Sequence, residues 1–238
     1  MASPLTKEYF TIDANFPSRL LEASPSRLIQ FIQSFTQDFS KRELSNRTDR
    51  SVASLSLERR IAHTIHSDSH YGVLHKFRHR MLLWQRGENK NFQVISYHGT
   101  KIPSWSWQAL HGEIEFPICS SVRMEWLQEV IFGENGNVLL AEAAAFHNLT
   151  VAAQGSLQCA IINAQGNNIG WIRYDWDDGY TRFELQRCVV LGRKRTTKHP
   201  YYGLVVEPTT SADAFVRIGI VCIDGSQLVT LQGQIRVV

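Results

Sequence analysis

Ser24-Pro25 is followed by Leu28, Phe31, Ile32, Phe35 and Phe39, apolar side chains that return every three or four positions. This spacing predicts an amphipathic helix with Ser24 as its N-cap and proline in its first turn. Val52, Leu55, Ile61, Ala62 and Ile65 predict a second helix, and the stretch from Tyr71 to Trp84 a third, with Leu74, Phe77, Met81 and Leu82 inward. From residue 92 the rhythm changes. Strands are expected at 92–97, 121–131, 160–162, 169–174, 181–190, 203–206, 216–223 and 227–237, punctuated by Asn135-Gly136, Gly166-Asn167-Asn168, Asp177-Asp178-Gly179 and Asp224-Gly225. Many short strands joined by turns imply antiparallel pairing. The expected fold is therefore α+β, with N-terminal helices (24–84) packed on a mainly antiparallel β-sandwich or open barrel (92–238), read as a single domain over 1–238.

Charge changes this picture only locally. The chain carries a formal net charge of +3, but residues 41–90 hold eleven Lys and Arg against five Asp and Glu. These cations are scattered among apolar residues at helical spacing, which describes a solvated helix face, and nucleic acid is not an expected partner. Gly192-Arg193-Lys194-Arg195, followed by Lys198, reads as a basic loop between strands. No apolar run is long enough to span a bilayer and Met1-Ala2-Ser3-Pro4 opens no signal peptide, so the expectation is a cytoplasmic chain that does not enter a membrane.

Candidate chemistry is sparse. Cys119, Cys159, Cys188 and Cys222 form no Cys-x-x-Cys pair and read as small buried hydrophobes. His63, His66, His70, His75 and His79 are clustered, and His75 and His79 would share a helix face. Lys76 and Arg78 stand between that pair and would oppose a bound cation, so no metal is expected. Asp175, Asp177 and Asp178 lack the spacing of a calcium loop, and no phosphate-cradling or dinucleotide glycine motif is present, so no cofactor is expected.

The most distinctive stretch is Pro103-Ser104-Trp105-Ser106-Trp107, continued by Ala109, His111-Gly112 and a strand-like Glu113-Ile114-Glu115-Phe116. In an extended segment its two tryptophans would lie on one face, a large amphipathic surface that needs covering. This run resembles the Pro-Ser-Trp-Ser-Trp-Ala-Ser-hydrophobic-Asp-Gly signature of fungal heterokaryon-incompatibility proteins, with Gln108 and His111 in place of the usual Ala or Ser and Asp. Looser matches flank it: Arg50-Ser51-Val52-Ala53-Ser54-Leu55 with Arg60-Ile61-Ala62, Leu82-Leu83-Trp84, Gly170-Trp171-Ile172-Arg173-Tyr174-Asp175, Gly203-Leu204-Val205-Val206-Glu207-Pro208 and Val216-Arg217-Ile218-Gly219. In that family the effector domain lies N-terminal to this region. Too few residues precede the first match to hold it, so the resemblance does not carry over the cell-death activity.

Two functions fit these features. The first is a stand-alone fungal protein that binds an apolar small molecule and acts as a cofactor-independent cyclase or isomerase in secondary metabolism. Trp105, Trp107, Tyr174 and Trp176 would line its cavity, and His111 would be the catalytic donor to a substrate carbonyl. The alternative is a non-enzymatic interaction or regulatory module related to heterokaryon-incompatibility signalling. Neither reading specifies an oligomeric state.

Overall fold

The computed structural model describes residues 18–238 except 89–91, 98, 100, 119–121, 134, 155–156, 177–178, 197–198 and 212. Contacts group the chain into two compact units, one of residues 1–102 and 106–122, the other of 103–105 and 123–238. The unit boundary thus falls inside the tryptophan signature and again after residue 122, not at the change of period near residue 90. No helix among the described residues is long and apolar enough to cross a membrane.

In the first unit, helix α1 spans Pro25–Ser40, as its periodicity predicts. Ser24 keeps an extended backbone and its Oγ accepts from the Arg27 amide at 3.4 Å, satisfying one of the amides left open at a helix start. Leu28, Phe31, Ile32, Phe35 and Phe39 are buried on one stripe. Helix α2 spans Arg50–Thr64; Ile61, Ala62 and Ile65 are buried as expected, but Val52 is 69% exposed, and Arg50, Ser54 and Glu58 are buried instead. Two ionisable groups therefore sit where an apolar seam was expected.

The third helix is mostly replaced. Strands β1 (Ser69–His70) and β2 (Val73–Leu74) form a hairpin, His75–Phe77 is a 3-10 turn, and only Arg78–Leu82 is helical, as α3. Tyr71 and Gly72 at the hairpin tip have φ of 46° and 82°, which a helix does not accommodate. His75 and His79 consequently lie on different elements and do not share a helix face. Two further short pairs complete the unit, β3 (Gln85–Arg86) with β6 (Ile114–Glu115) and β4 (Gln93–Val94) with β5 (Leu110–His111). The strand expected at 92–97 is thus only two residues long. Nor is the basic segment a uniformly solvated face, because Arg50 and Arg86 are buried against the rings of Trp107 and Phe92.

The second unit is almost entirely antiparallel sheet. Its strands are β7 (Met124–Trp126), β8 (Ile131–Phe132), β9 (Leu139–Phe146), β10 (Leu149–Ala153), β11 (Gln158–Asn163), β12 (Asn168–Tyr174), β13 (Arg187–Lys194), β14 (Tyr201–Pro208), β15 (Ala214–Ile223) and β16 (Leu228–Val237). They follow the order β10-β11-β12-β15-β14-β13-β9-β16. β16 also meets β15 in parallel, pairing Ala214 with Arg236 and Phe215 with Val237. The path β9-β13-β14-β15-β16 therefore closes into a ring, while β12, β11 and β10 continue outward from the other half of β15. The protein is α+β with a large antiparallel sheet, as its pattern predicts.

The differences have local causes. β9, Leu-Leu-Ala-Glu-Ala-Ala-Ala-Phe, has the composition of a helix, yet it pairs with β16, β13 and β8. Its small side chains let neighbours approach on both edges. Gly179–Leu185 forms 3-10 turns where a strand was expected to begin, so β13 starts only at Arg187. Gly192, Arg193 and Lys194 of the basic cluster end β13 and only Arg195 lies in the bend after it; Arg193 makes a two-pronged bond to Glu125 across the β7 pairing, at 3.0 and 3.2 Å. Lys198, Cys119, Asp177 and Asp178 lie outside the described residues.

The hairpin tip gives a stability prediction. A Cβ on Gly72 would stand 2.2 Å from Trp107 Nε1 at a backbone φ of +82°, whereas Gly166, at φ +78°, has nothing within 4 Å. Gly72→Ala should cost about 3 kcal/mol in denaturant unfolding, from backbone strain plus displacement of the indole, and Gly166→Ala only about 1 kcal/mol. Equal losses would show that the indole yields freely.

Candidate functional site

The signature is not extended. Ser104 and Trp105 lie in a turn and Trp107–Ala109 is a 3-10 helix, so the two rings do not share a face. Trp105 belongs to the second unit, where it is fully buried with its ring 5.4 Å from that of Phe132. Trp107 belongs to the first, buried edge-on to Phe39 at 5.8 Å, with the Arg50 guanidinium 5.4 Å from its centroid. The expectation of two rings along one extended strand is corrected by the turn that begins at Ser104.

In the first unit the signature binds the neighbouring segments through polar groups. Trp107 Nε1 donates to the Gly72 carbonyl at 3.2 Å, and Ser106 Oγ donates to the Tyr71 carbonyl at 2.7 Å while accepting from the Gln108 amide. Gln108 Nε2 donates to Ser54 Oγ at 2.8 Å and to Glu58 Oε2 at 3.2 Å, and the Gln108 carbonyl accepts from Tyr97. Glu58 Oε1 accepts from the Gly72 amide at 2.7 Å, and its carboxylate is also hydrogen-bonded by the Ser69 side chain. Glu58 is thus the point where α2, the β1–β2 hairpin and the signature meet. Burial pushes its carboxyl up to about 7, against the pull of these donors.

Arg50 is the second buried ionisable group on the same helix. Its Nη2 donates to the Ser40 carbonyl, which ends α1, at 2.9 Å and to the Gly112 carbonyl at 3.3 Å. Burial lowers its guanidinium to about 10, so it remains a cation at neutral pH. His111 lies on β5 opposite Gln93, whose Oε1 accepts from Arg47 Nη1 at 2.6 Å. Its imidazole is held below its ordinary value, first by partial burial and then by Arg47 and Arg50. It is a half-exposed neutral base beside two cations.

In the second unit, Tyr174 is buried and donates to Gln186 Oε1 at 2.9 Å, and burial raises its phenol. Trp176 is half-buried, and its carbonyl accepts from the Gly179 amide. Asp175 pairs with Arg217 at 3.2 Å, both almost fully buried. Ser104 donates to the Val238 carbonyl and accepts from the Arg217 amide, so the signature serine bridges the residue after β16 to the first half of β15. Cys159, Cys188 and Cys222 are buried free thiols whose pKa values burial raises.

The expected site residues are therefore divided: Trp107 and His111 belong to one unit, Trp105, Tyr174 and Trp176 to the other. None lines either described cleft. The larger cleft, about 570 Å³, lies along the C-terminal half of α2 and is lined by Leu55, Arg59, Ala62, His63, His66 and the segment Ser67 to Ser69. Ser69 is in its wall and is hydrogen-bonded to Glu58, which does not itself line the cleft. A signal for Glu58 existed in the sequence: it stands four residues after Ser54 and four before Ala62, on the stripe that faces inward.

Glu58 makes stability depend on pH. Its folded carboxyl keeps its proton up to about pH 7 and its ordinary value is 4.5, so its contribution is fully present below 4.5, declines as pH rises and is gone above 7. The decline amounts to about 3 kcal/mol. Urea unfolding across this interval should show the slope in the wild type and its loss in Glu58→Gln. Parallel curves for the two proteins would contradict the assignment.

No protein-family model, no curated protein and no solved structure matches this chain.

Proposed function

We propose that this chain is a recognition module that binds its ligand without transforming it, the interaction or regulatory role suggested by the resemblance to heterokaryon-incompatibility proteins. One observation supports this over an aromatic-lined reaction cavity: Trp105, Trp107 and Tyr174 are each at most 1% exposed. Trp107 and Tyr174 also direct their polar atoms at protein acceptors. Large aromatics engaged in this way supply packing energy and offer no face to a substrate. The ligand surface in this reading is the α2 cleft, whose Arg59 guanidinium and Ser69 hydroxyl suit a small oxygen-rich or anionic group.

A second reading keeps the isomerase idea and moves its chemistry. Glu58, with a carboxyl near 7 and a hydrogen bond to Ser69 in the cleft wall, has the properties of a proton-transfer group. In that case the cleft binds a substrate with an acidic C–H or a carbonyl, and Glu58 relays the proton through Ser69.

A thermal-shift screen with small carboxylates, phosphate and sugar phosphates separates the possibilities. Compounds that stabilise the wild type should lose at least about tenfold in affinity for Arg59→Ala and for Ser69→Ala, while His111→Ala binds them normally. Arg59 is exposed and its removal should leave the melting temperature nearly unchanged. Ligands that still bind Arg59→Ala but are lost from His111→Ala would overturn the assignment of the cleft.

A further inference from the structure

One sheet edge in the second unit is chemically unlike the rest of the chain. Charged residues make up 20% of the sequence, yet none of Asp, Glu, Lys or Arg occurs from Ala143 to Ile172. That stretch holds the end of β9 and nearly all of the β10-β11-β12 meander. β10 is the outermost strand and pairs only with β11. Among the described residues, no hydrogen bond runs from the backbone of Leu149–Ala153 to any strand but β11.

Exposed edges in monomeric proteins are normally blunted by charge, proline, bulges or brevity, because an open row of amides and carbonyls templates another strand. The other edges here have such devices. β7 is three residues long and carries Glu125, and β8 is two residues long. β16 breaks its register between Thr230 and Gln234. β10 has none of them. It is five residues of Leu-Thr-Val-Ala-Ala in unbroken register with β11. Its core-facing positions are settled, since Leu149 and Val151 pack with Cys159 and Ile161. Thr150 and Ala152 are exposed.

We propose that this chain forms a twofold dimer by antiparallel pairing of β10 with β10 of a second copy, centred on Val151. A copy of the same edge is the partner that matches it without charge mismatch, because two neutral strands place no like charges opposite one another. Twofold symmetry makes the pairing antiparallel, the sense in which β10 already pairs with β11, and joins the two sheets into one. A five-residue strand pair is a small interface, so the dimer is weak and forms in the micromolar range.

The test uses the full chain and sedimentation velocity across low to high micromolar concentrations. In the proposed register Thr150 lies opposite Ala152 of the partner subunit. Thr150→Lys with Ala152→Lys sets lysines against lysines and should weaken dimerisation by roughly tenfold or more. Thr150→Lys with Ala152→Glu sets lysine against glutamate and should return dimerisation to within a few-fold of wild type. Both double variants put two charges on the same exposed positions, so matched circular dichroism and melting curves separate assembly from folding. The proposal is overturned if the wild type stays monomeric throughout, if the Lys/Lys variant dimerises like wild type, or if the Lys/Glu variant is as weak as Lys/Lys.

Discussion

The first unit depends on a buried cation. Arg50 is 1% exposed and is held by two backbone carbonyls and the face of an indole. Removing a guanidinium from water is costly, and three features offset the cost. The Ser40 carbonyl is at the negative end of α1, the Gly112 carbonyl is a second dipole, and Trp107 supplies a cation–π contact in a dry setting. Trp107 and Gly112 belong to the signature and its continuation, and Ser40 to the end of α1. Holding the Nη2 end of this one side chain therefore fixes the end of α1, the start of α2 and the signature together. Glu58, two turns further along α2, does the same for the hairpin and Gln108 with neutral donors. A helix seam that buries a cation and a hydrogen-bonded carboxyl specifies its partners more narrowly than an apolar one does, since a shifted register would leave a buried polar group unpaired.

This arrangement explains what the tryptophan signature does here. Its allegiance switches after Trp105: Ser104 and Trp105 bind within the sheet unit, Ser106, Trp107 and Gln108 within the helical one. The serines act as local hydrogen-bonding hubs and the tryptophans as anchors. Ligand chemistry is then left to groups outside the signature, above all the α2 cleft with Glu58 behind Ser69.

Much of the architecture was legible in the residues. Ser24-Pro25 and the phenylalanine spacing set α1, and β12, β15 and β16 follow from β-branched alternation bounded by turn residues. Illegible elements were those decided by tertiary contact. β9 is a strand despite its alanines because both its edges are paired, and the stretch from Tyr71 breaks from helix because Gly72 must approach Trp107 closely. Candidate chemistry was harder to read. Two tryptophans one residue apart imply a shared face only if the backbone is extended, and a Ser-x-Trp turn removes that premise. No motif in the sequence singles out Glu58 and Arg50, because single ionisable residues on a helix are usually solvated, and only the true stripe, set by Ser54, Ile61 and Ala62, shows them facing inward.

The claim that Arg50 and Trp107 act as one unit is tested most directly by a double-mutant cycle on unfolding free energy, using Arg50→Met, Trp107→Leu and the pair. If the cation is held by the indole, the two substitutions are coupled by about 1–2 kcal/mol, the double variant losing less than the sum of the singles. Additivity within about 0.5 kcal/mol would contradict the account, because Arg50 would then be held by the carbonyls of Ser40 and Gly112 alone.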